Sequence, residues 1–528
     1  MISVYRFIHI FKKTNEIKLA NCNFVQIYCN SRFKREGFIT SFDRGRKGAD
    51  SLFECFKIAE AVRKYFSESI GFSHKKPRLL QKSRKIIIKA IENPAFWYYN
   101  LLHDVQSDTR GDLFMDKMFY RNNRQSLYDT LAPNSLVVLY AGHAPRKTAD
   151  EKYPFFADRS FVYMTGVAKE NLIFTALKTD TAVEETMFIL PPDEKAERWT
   201  GARIRAQEVE SMSGIQKCRY ISEFGRYLKG VLTSLKADTV CLDFDRFFED
   251  EQPKEAFVLA EILRKDYPYV NLRNIHKAIA HIRTIKKPCE IEAMRKAEAI
   301  NREGIIRMMQ ASRPGMFEYQ YKAEWDYVLA QHSVLFPMFP SIISAGKNNF
   351  CIHYYDYKGQ AKDGDMILND VGAVWDFCGT DVSRGWPCNG KFSDKQRALY
   401  ECALETSRYM FSILKPGIPM REVDQLAREY NAELLRNIGV LGKEEDPSKL
   451  IWHGGAHHVG FDTHDVVDVA GRDLEAGMVF CVDIGIYCEE WGIGFRLEDN
   501  CHITEEGCEN LSKEIPSNIE DIEAIMNG

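Results

Sequence analysis

Between about residues 118 and 278, short apolar runs alternate with charged stretches of helical length. Residues 135–140 (Ser-Leu-Val-Val-Leu-Tyr), 172–177 (Leu-Ile-Phe-Thr-Ala-Leu), 186–190 (Thr-Met-Phe-Ile-Leu, stopped by Pro191-Pro192) and 239–242 (Thr-Val-Cys-Leu) read as strands. Each is a run of β-branched or apolar residues bounded by turn formers or charge. Residues 254–265 read as a helix between charged flanks. Strands interleaved with helical patterns predict an α/β domain. From Lys286 the period becomes helical. Pro288 suits a first helical turn, and Ile291, Met294, Ile305 and Met308 share one face before Pro314-Gly315. Ser393-x-x-Gln396 is a capping box. It opens a helix with Leu399, Ala403, Thr406, Met410 and Ile413 inward and Pro416-Gly417 at its end. Pro419 opens another, with Val423, Leu426, Tyr430 and Leu434 apolar and Gly439 as its cap. Strand-like segments between and after these helices carry the unusual polar residues.

A chain of 528 residues is too long for one ordinary core. With 45% apolar and 28% charged residues it is not a disordered chain. No apolar run is long enough to span a membrane. Phe7–Phe11 is short and closely followed by Lys12 and Lys13, a poor secretory signal. The fourteen cysteines form no CxxC, which argues against a disulfide framework or structural zinc site and points to the cytoplasm.

Charge divides the chain unevenly. Residues 1–114 hold 21 lysines and arginines against 11 aspartates and glutamates, a net of +10; the rest carries −14 of the overall −4. The basic cluster from Lys75 to Lys89 has few aromatics interleaved, so nucleic-acid binding is not the favoured reading. Residues 1–117 are read instead as an extension outside the working enzyme, with Met115 or Met118 as candidate starts.

Three groups of residues carry candidate chemistry. Asp370 and Asp381 lie in residues 366–381, which read as two strands around a turn near Trp375-Asp376. That turn would set the two aspartates directly opposite, with Cβ atoms about 4.5–5.5 Å apart. Such carboxylates repel unless a cation or proton lies between them or water screens them. Four of the thirteen histidines, His453, His457, His458 and His464, fall within twelve residues beside Gly454, Gly455 and Gly460. Imidazole serves as a transition-metal ligand or a proton carrier, although a glycine-rich surface loop could also hold such histidines. Asp483 ends an apolar strand, and Arg496 and Glu498 share one strand face, as a simple ion pair or as site residues. Together these residues make an oxygen-rich set suited to two Mn²⁺, Co²⁺ or Zn²⁺ ions.

The order Asp370, Asp381, His457, Asp483, Glu498 resembles that of the pita-bread metallopeptidases, which include methionine aminopeptidase, aminopeptidase P and prolidase. His353, seventeen residues before Asp370, His464, seven after His457, and Gly492–Asp499 extend the likeness. Residues 150–155 and 159–166 resemble the N-terminal domain of the aminopeptidase P and prolidase branch. The resemblance implies an aminopeptidase P-type α/β N-terminal domain (118–280) followed by an α+β pita-bread catalytic domain (281–528). It implies Xaa-Pro aminopeptidase activity by a hydroxide bridging two divalent ions, Mn²⁺ first, with Co²⁺ or Zn²⁺ as alternatives. Asp370 would hold one ion, His457 and Asp483 the other, and Asp381 and Glu498 both. His353 and His464 would contact the substrate carbonyl and oxyanion, and Glu498 or Asp483 would relay a proton. Arg496 would orient a bridging carboxylate, and His453 and Tyr487 would line the proline pocket. Peptides with proline second would be the partners, and the chain a dimer or tetramer acting away from membranes. Prolidase activity, or an inactive peptide-binding module, are the other readings. One departure stands out: the family pattern has Glu where this chain has Asp483 and usually Pro where it has Ile484. Asp reaches less far by one methylene, which predicts one weakened ion site.

Overall fold

The computed structural model describes residues 115–528. The basic segment 1–114 lies outside them. The described chain opens with the helix Lys117–Asp129, whose N-cap Asp116 accepts from the amides of Met118 and Phe119. That satisfies two of the donors a helix start leaves free.

A six-stranded mixed sheet follows, in the order Cys218–Tyr220, Val183–Ile189, Ile173–Lys178, Ser135–Tyr140, Thr239–Leu242, Asn271–Asn274. Ser135–Tyr140 runs antiparallel to Ile173–Lys178 and parallel to Thr239–Leu242. The four strands anticipated from apolar runs are present within a few residues, and Glu255–Asp266 is helical. Helices cover both faces: Leu228, Val231, Leu259 and Leu263 pack on one, and Phe161, Val162 and Leu127 on the other.

The second sheet has seven antiparallel strands. Its order is Ala456–His458, Val479–Cys488, Ile493–Ile503, Val382–Pro387, Met366–Val371, Ile342–Ala345, with Cys508–Asn510 on the 493–503 strand. Alternation assigns its faces. Phe480, Val482, Ile484 and Ile486, with Phe495, Leu497 and Cys501, share one core with Leu399, Ala403 and Met410 of the capped helix Asp394–Ile413. The other face presents Cys481, Asp483, Arg496, Glu498 and Asn500. Among the described residues, no helix is long and apolar enough to cross a membrane.

Two features depart from expectation. The helix Glu318–Gln331 was not anticipated. Its buried Tyr321, Trp325, Val328 and Leu329 are diluted by charges and aromatics, so its stripe is faint. The hairpin carrying the two aspartates also turns one residue later than read. Trp375 pairs with Cys378, placing the turn at Asp376-Phe377, both with positive φ (46° and 68°). This is the geometry two-residue hairpins prefer, although neither residue is Asn or Gly. Asp370 therefore pairs with Ser383, and Asp381 precedes the strand. A slip of two positions preserves the face, so the carboxylates remain neighbours diagonally.

Candidate metal centre

Adjacent strands bring the polar residues together. His457 stands opposite Cys481, Cys481 opposite Asn500, and Asp483 opposite Glu498. Ser383 is paired with both Glu498 and Asp370 on its two sides. Donor atoms of Asp381, His457, Cys481 and Glu498 all lie within 4.8 Å of one another. His457 Nε2 is 3.2 Å from Glu498 Oε1 and 3.7 Å from Asp381 Oδ2. Ser383 Oγ donates to Glu498 Oε2 at 2.9 Å. Asp370 lies beside Asp381, its Oδ2 accepting from Arg496 Nη2 at 2.7 Å. Arg496 Nη1 also reaches the Ile352 carbonyl and the Tyr487 hydroxyl.

Asp483 faces Glu498 across the strands, and its charge bears on Asp381 and His457. Its Oδ2 is 3.1 Å from His453 Nδ1, while His453 Nε2 is 3.1 Å from the Tyr487 hydroxyl. Tyr487 is fully buried and stacks on Trp452 at 4.6 Å between ring centroids. His464 is exposed, with its ring 4.5 Å from that of His457. His353 is exposed in the loop after residue 350.

The electrostatics favour a bound cation. Burial raises the Asp370 carboxyl, with the Arg496 guanidinium opposing. Asp381 is pushed well above the usual carboxylate range by burial, then by Glu498 and Asp370. Burial works against protonation of His457, but the Glu498 carboxylate raises it to about 9. Burial, then the neighbouring His457, lowers His464. Asp370 Oδ1, Asp381 Oδ1 and Asp483 Oδ1 are buried without a hydrogen-bond partner. Packed carboxylates with unpartnered oxygens are costly unless a cation joins them. Oxygen donors with one imidazole suit a divalent ion such as Mn²⁺, Co²⁺ or Zn²⁺, so the residues fit the implied metals.

The loop after His457 is held by a buried ion network. Asp465 meets Lys286 Nζ at 2.8 Å and also Arg283, which reaches Asp462 as well. Arg283 and Lys286 hold the Asp465 carboxyl far below the usual range although burial opposes them. Arg159 donates to the Phe377 carbonyl at 2.7 Å and to that of Phe461, tying a helix beside the first sheet to two loops flanking the site. Sequence reading missed Cys481, Ser383, Asn500 and this network. Period-2 counting back from Asp483 to Cys481 and on from Glu498 to Asn500 was the available signal for two of them.

A two-sheet fold with buried carboxylates and a histidine converging on one sheet face offers a site suited to divalent metal ions. Residues 292–505 match metallopeptidase family M24, and residues 120–241 match the aminopeptidase P N-terminal domain. An Xaa-Pro aminopeptidase of Haemophilus influenzae is 30% identical over 432 residues, covering 78% of this chain and 98% of that protein. The structure of E. coli aminopeptidase P with the inhibitor Pro-Leu superposes with a TM-score of 0.72 at 28% identity, covering 78% of this chain and 98% of the other. Human Xaa-Pro dipeptidase is 24% identical over 510 residues, covering 83% and 97%. The chain belongs to the pita-bread aminopeptidase P family of M24 metallopeptidases, and it is a metallo-aminopeptidase.

Proposed function

We propose that the chain is an Xaa-Pro aminopeptidase that releases the first residue of peptides with proline second, using two divalent ions. The observation that carries this reading is the convergence of Asp370, Asp381, His457 and Glu498, with unpartnered carboxylate oxygens, on one sheet face. Asp370 would hold one ion, His457 with Asp483 the other, and Asp381 and Glu498 both. When bound, the ions supply Lewis-acid polarisation of the scissile carbonyl and activation of water. Mn²⁺ is the proposed metal, with Co²⁺ and Zn²⁺ as alternatives.

The chain's own residues do the rest. Arg496, expected to orient a bridging carboxylate, instead bonds Asp370 and would neutralise and aim it. Ser383 fixes Glu498 Oε2, and Glu498 or Asp483 would relay a proton. His353 and His464, exposed at the mouth, donate to the substrate carbonyl and the tetrahedral oxyanion. A neutral His464 still carries one N–H for this. His453 lines the proline pocket. Tyr487, expected to line that pocket, is fully buried and instead steadies His453 and Arg496. An imino-acid amide has no N–H, so the pocket needs shape more than hydrogen bonds.

Residues 118–280 are proposed as the domain that restricts access, 281–528 as the catalytic domain, and 1–117 as an extension outside the working enzyme. A cytoplasmic dimer or tetramer is the proposed working form. The test is hydrolysis of Xaa-Pro-Xaa tripeptides against Xaa-Pro dipeptides after chelation and Mn²⁺ addition. Release of the first residue from tripeptides is expected. Cleavage of dipeptides alone would assign a dipeptidase, and absence of bound metal would assign an inactive binding module.

A further inference from the structure

We propose that Cys481 is an additional ligand to the ion at the His457 end of the site, giving that position a sulfur donor. The proposal rests on the metal reading above and deepens it. Cys481 lies within an apolar strand and is fully buried, so it reads at first as a small core residue. Three observations argue otherwise. Its register partner on the neighbouring strand is His457, so both side chains rise from the same face. Its sulfur belongs to the set of donors, with Asp381, His457 and Glu498, that lie within 4.8 Å of one another. Asp381 Oδ1 is buried there without a hydrogen-bond partner.

The sulfur's other neighbours are weak. The Asp381 carbonyl is 3.9 Å away and Asn500 Oδ1 3.8 Å, and the thiol's remaining hydrogen-bond partner is Glu498, itself one of the donor set. Metal–sulfur distances of about 2.3 Å and metal–nitrogen or –oxygen distances of about 2.0 Å put donors roughly 3.3–3.6 Å apart in a tetrahedral shell. Movements of about an ångström would close the observed group to that size. Asp483, two residues along on the same face, has one oxygen turned to His453. The thiol thus stands where a donor is needed if the short Asp483 arm stays with its histidine. Its proton leaves to solvent as the ion binds. A thiolate in the shell favours Zn²⁺ and Co²⁺ over Mn²⁺ at that position.

The test uses the full chain, stripped with chelator and titrated with Co²⁺, with bound metal measured by equilibrium dialysis. A near-ultraviolet sulfur-to-cobalt charge-transfer band should grow with bound Co²⁺. It should vanish in Cys481→Ser and in Cys481→Ala while Co²⁺ still binds. In Zn²⁺/Mn²⁺ competition, the preference for Zn²⁺ should fall at least about tenfold in Cys481→Ser, the scale of a disturbed ligand environment. Bound Co²⁺ without the band, or an undiminished band in either variant, would overturn the proposal and leave Cys481 a packing residue. No bound Co²⁺ at all would overturn the metal reading itself, and this proposal with it.

Discussion

Asp483 Oδ2 lies 3.1 Å from His453 Nδ1, while its other oxygen is buried without a hydrogen-bond partner. One methylene separates this side chain from the Glu that the family pattern carries there. Asp483→Glu should reach the ion at the His457 end without giving up the strand position. Calorimetry should show the weaker Mn²⁺ site tightening about tenfold, some 1.4 kcal/mol. Weaker binding in the variant would mean that Asp483 already sits correctly and the longer side chain crowds the ion.

Asp381 is pushed up by its burial and then by the charges of Glu498 and Asp370. Asp381→Ala relieves that repulsion, so the folded chain should not lose stability in proportion to its loss of function. Metal binding measured by dialysis should drop by about one ion. Turnover of an Xaa-Pro-Xaa peptide should fall to near background, and an unchanged rate would remove Asp381 from the site.

Asp465 is locked between Arg283 and Lys286 with essentially no exposure. Arg283→Ala leaves a buried aspartate short of one cation and should cost about 3–5 kcal/mol in urea unfolding at pH 7. Because the folded Asp465 carboxyl is depressed, its contribution is present above the unfolded value of about 3.9 and is lost as pH falls below it. The gap between parent and Arg283→Ala should therefore narrow below about pH 4. A gap under ~1 kcal/mol at pH 7 would show that the network is not needed for stability.

His458 is buried next to Lys286, with Nδ1 3.1 Å from the Val479 carbonyl, and burial lowers it to about 4. A base depressed in the fold binds fewer protons than it does unfolded between about pH 6.5 and 4. Stability from keeping it neutral is present above about 6.5 and is lost as pH falls through that window, by about a few kcal/mol in full. His458→Asn keeps an amide donor near the Nδ1 position for the carbonyl and cannot charge. In metal-free protein, its urea midpoint should fall less than the parent's between pH 7 and pH 5. Parallel curves would refute the assignment.

Met115 and Asp116 bear on where a shortened chain can begin. The Met115 amide donates to Asp376 Oδ2 at 2.8 Å, and Asp116 caps the first described helix. A chain starting at Met115 should melt close to the full-length protein and match its turnover. One starting at Met118 loses the cap and should be less stable by about 0.5–2 kcal/mol, while still binding metal. Equal melting of the two shortened chains would show that the cap contributes nothing. Inactivity of both would make the upstream segment part of the enzyme.

Local rules made much of the molecule legible. Capping at Ser393, the proline at 288 and the apolar runs of the first sheet depend on residues a few positions apart, so the helices and strands they mark could be read directly. Alternation likewise put Arg496 and Glu498 on one face. The linear order of Asp370, Asp381, His457, Asp483 and Glu498 was enough to suggest the family.

Contacts between distant segments were decided by the tertiary structure. The pairing of Asp370 with Ser383 depended on a turn whose two positive-φ residues, Asp376 and Phe377, carry no glycine or asparagine signal. That Asp483 meets His453, and that Cys481 stands opposite His457, depends on the relative placement of three strands separated by loops. The Arg283–Asp465–Lys286 network joins residues 182 and 179 positions apart. Such meetings follow from how the sheet packs against its neighbours, and no short-range periodicity encodes that.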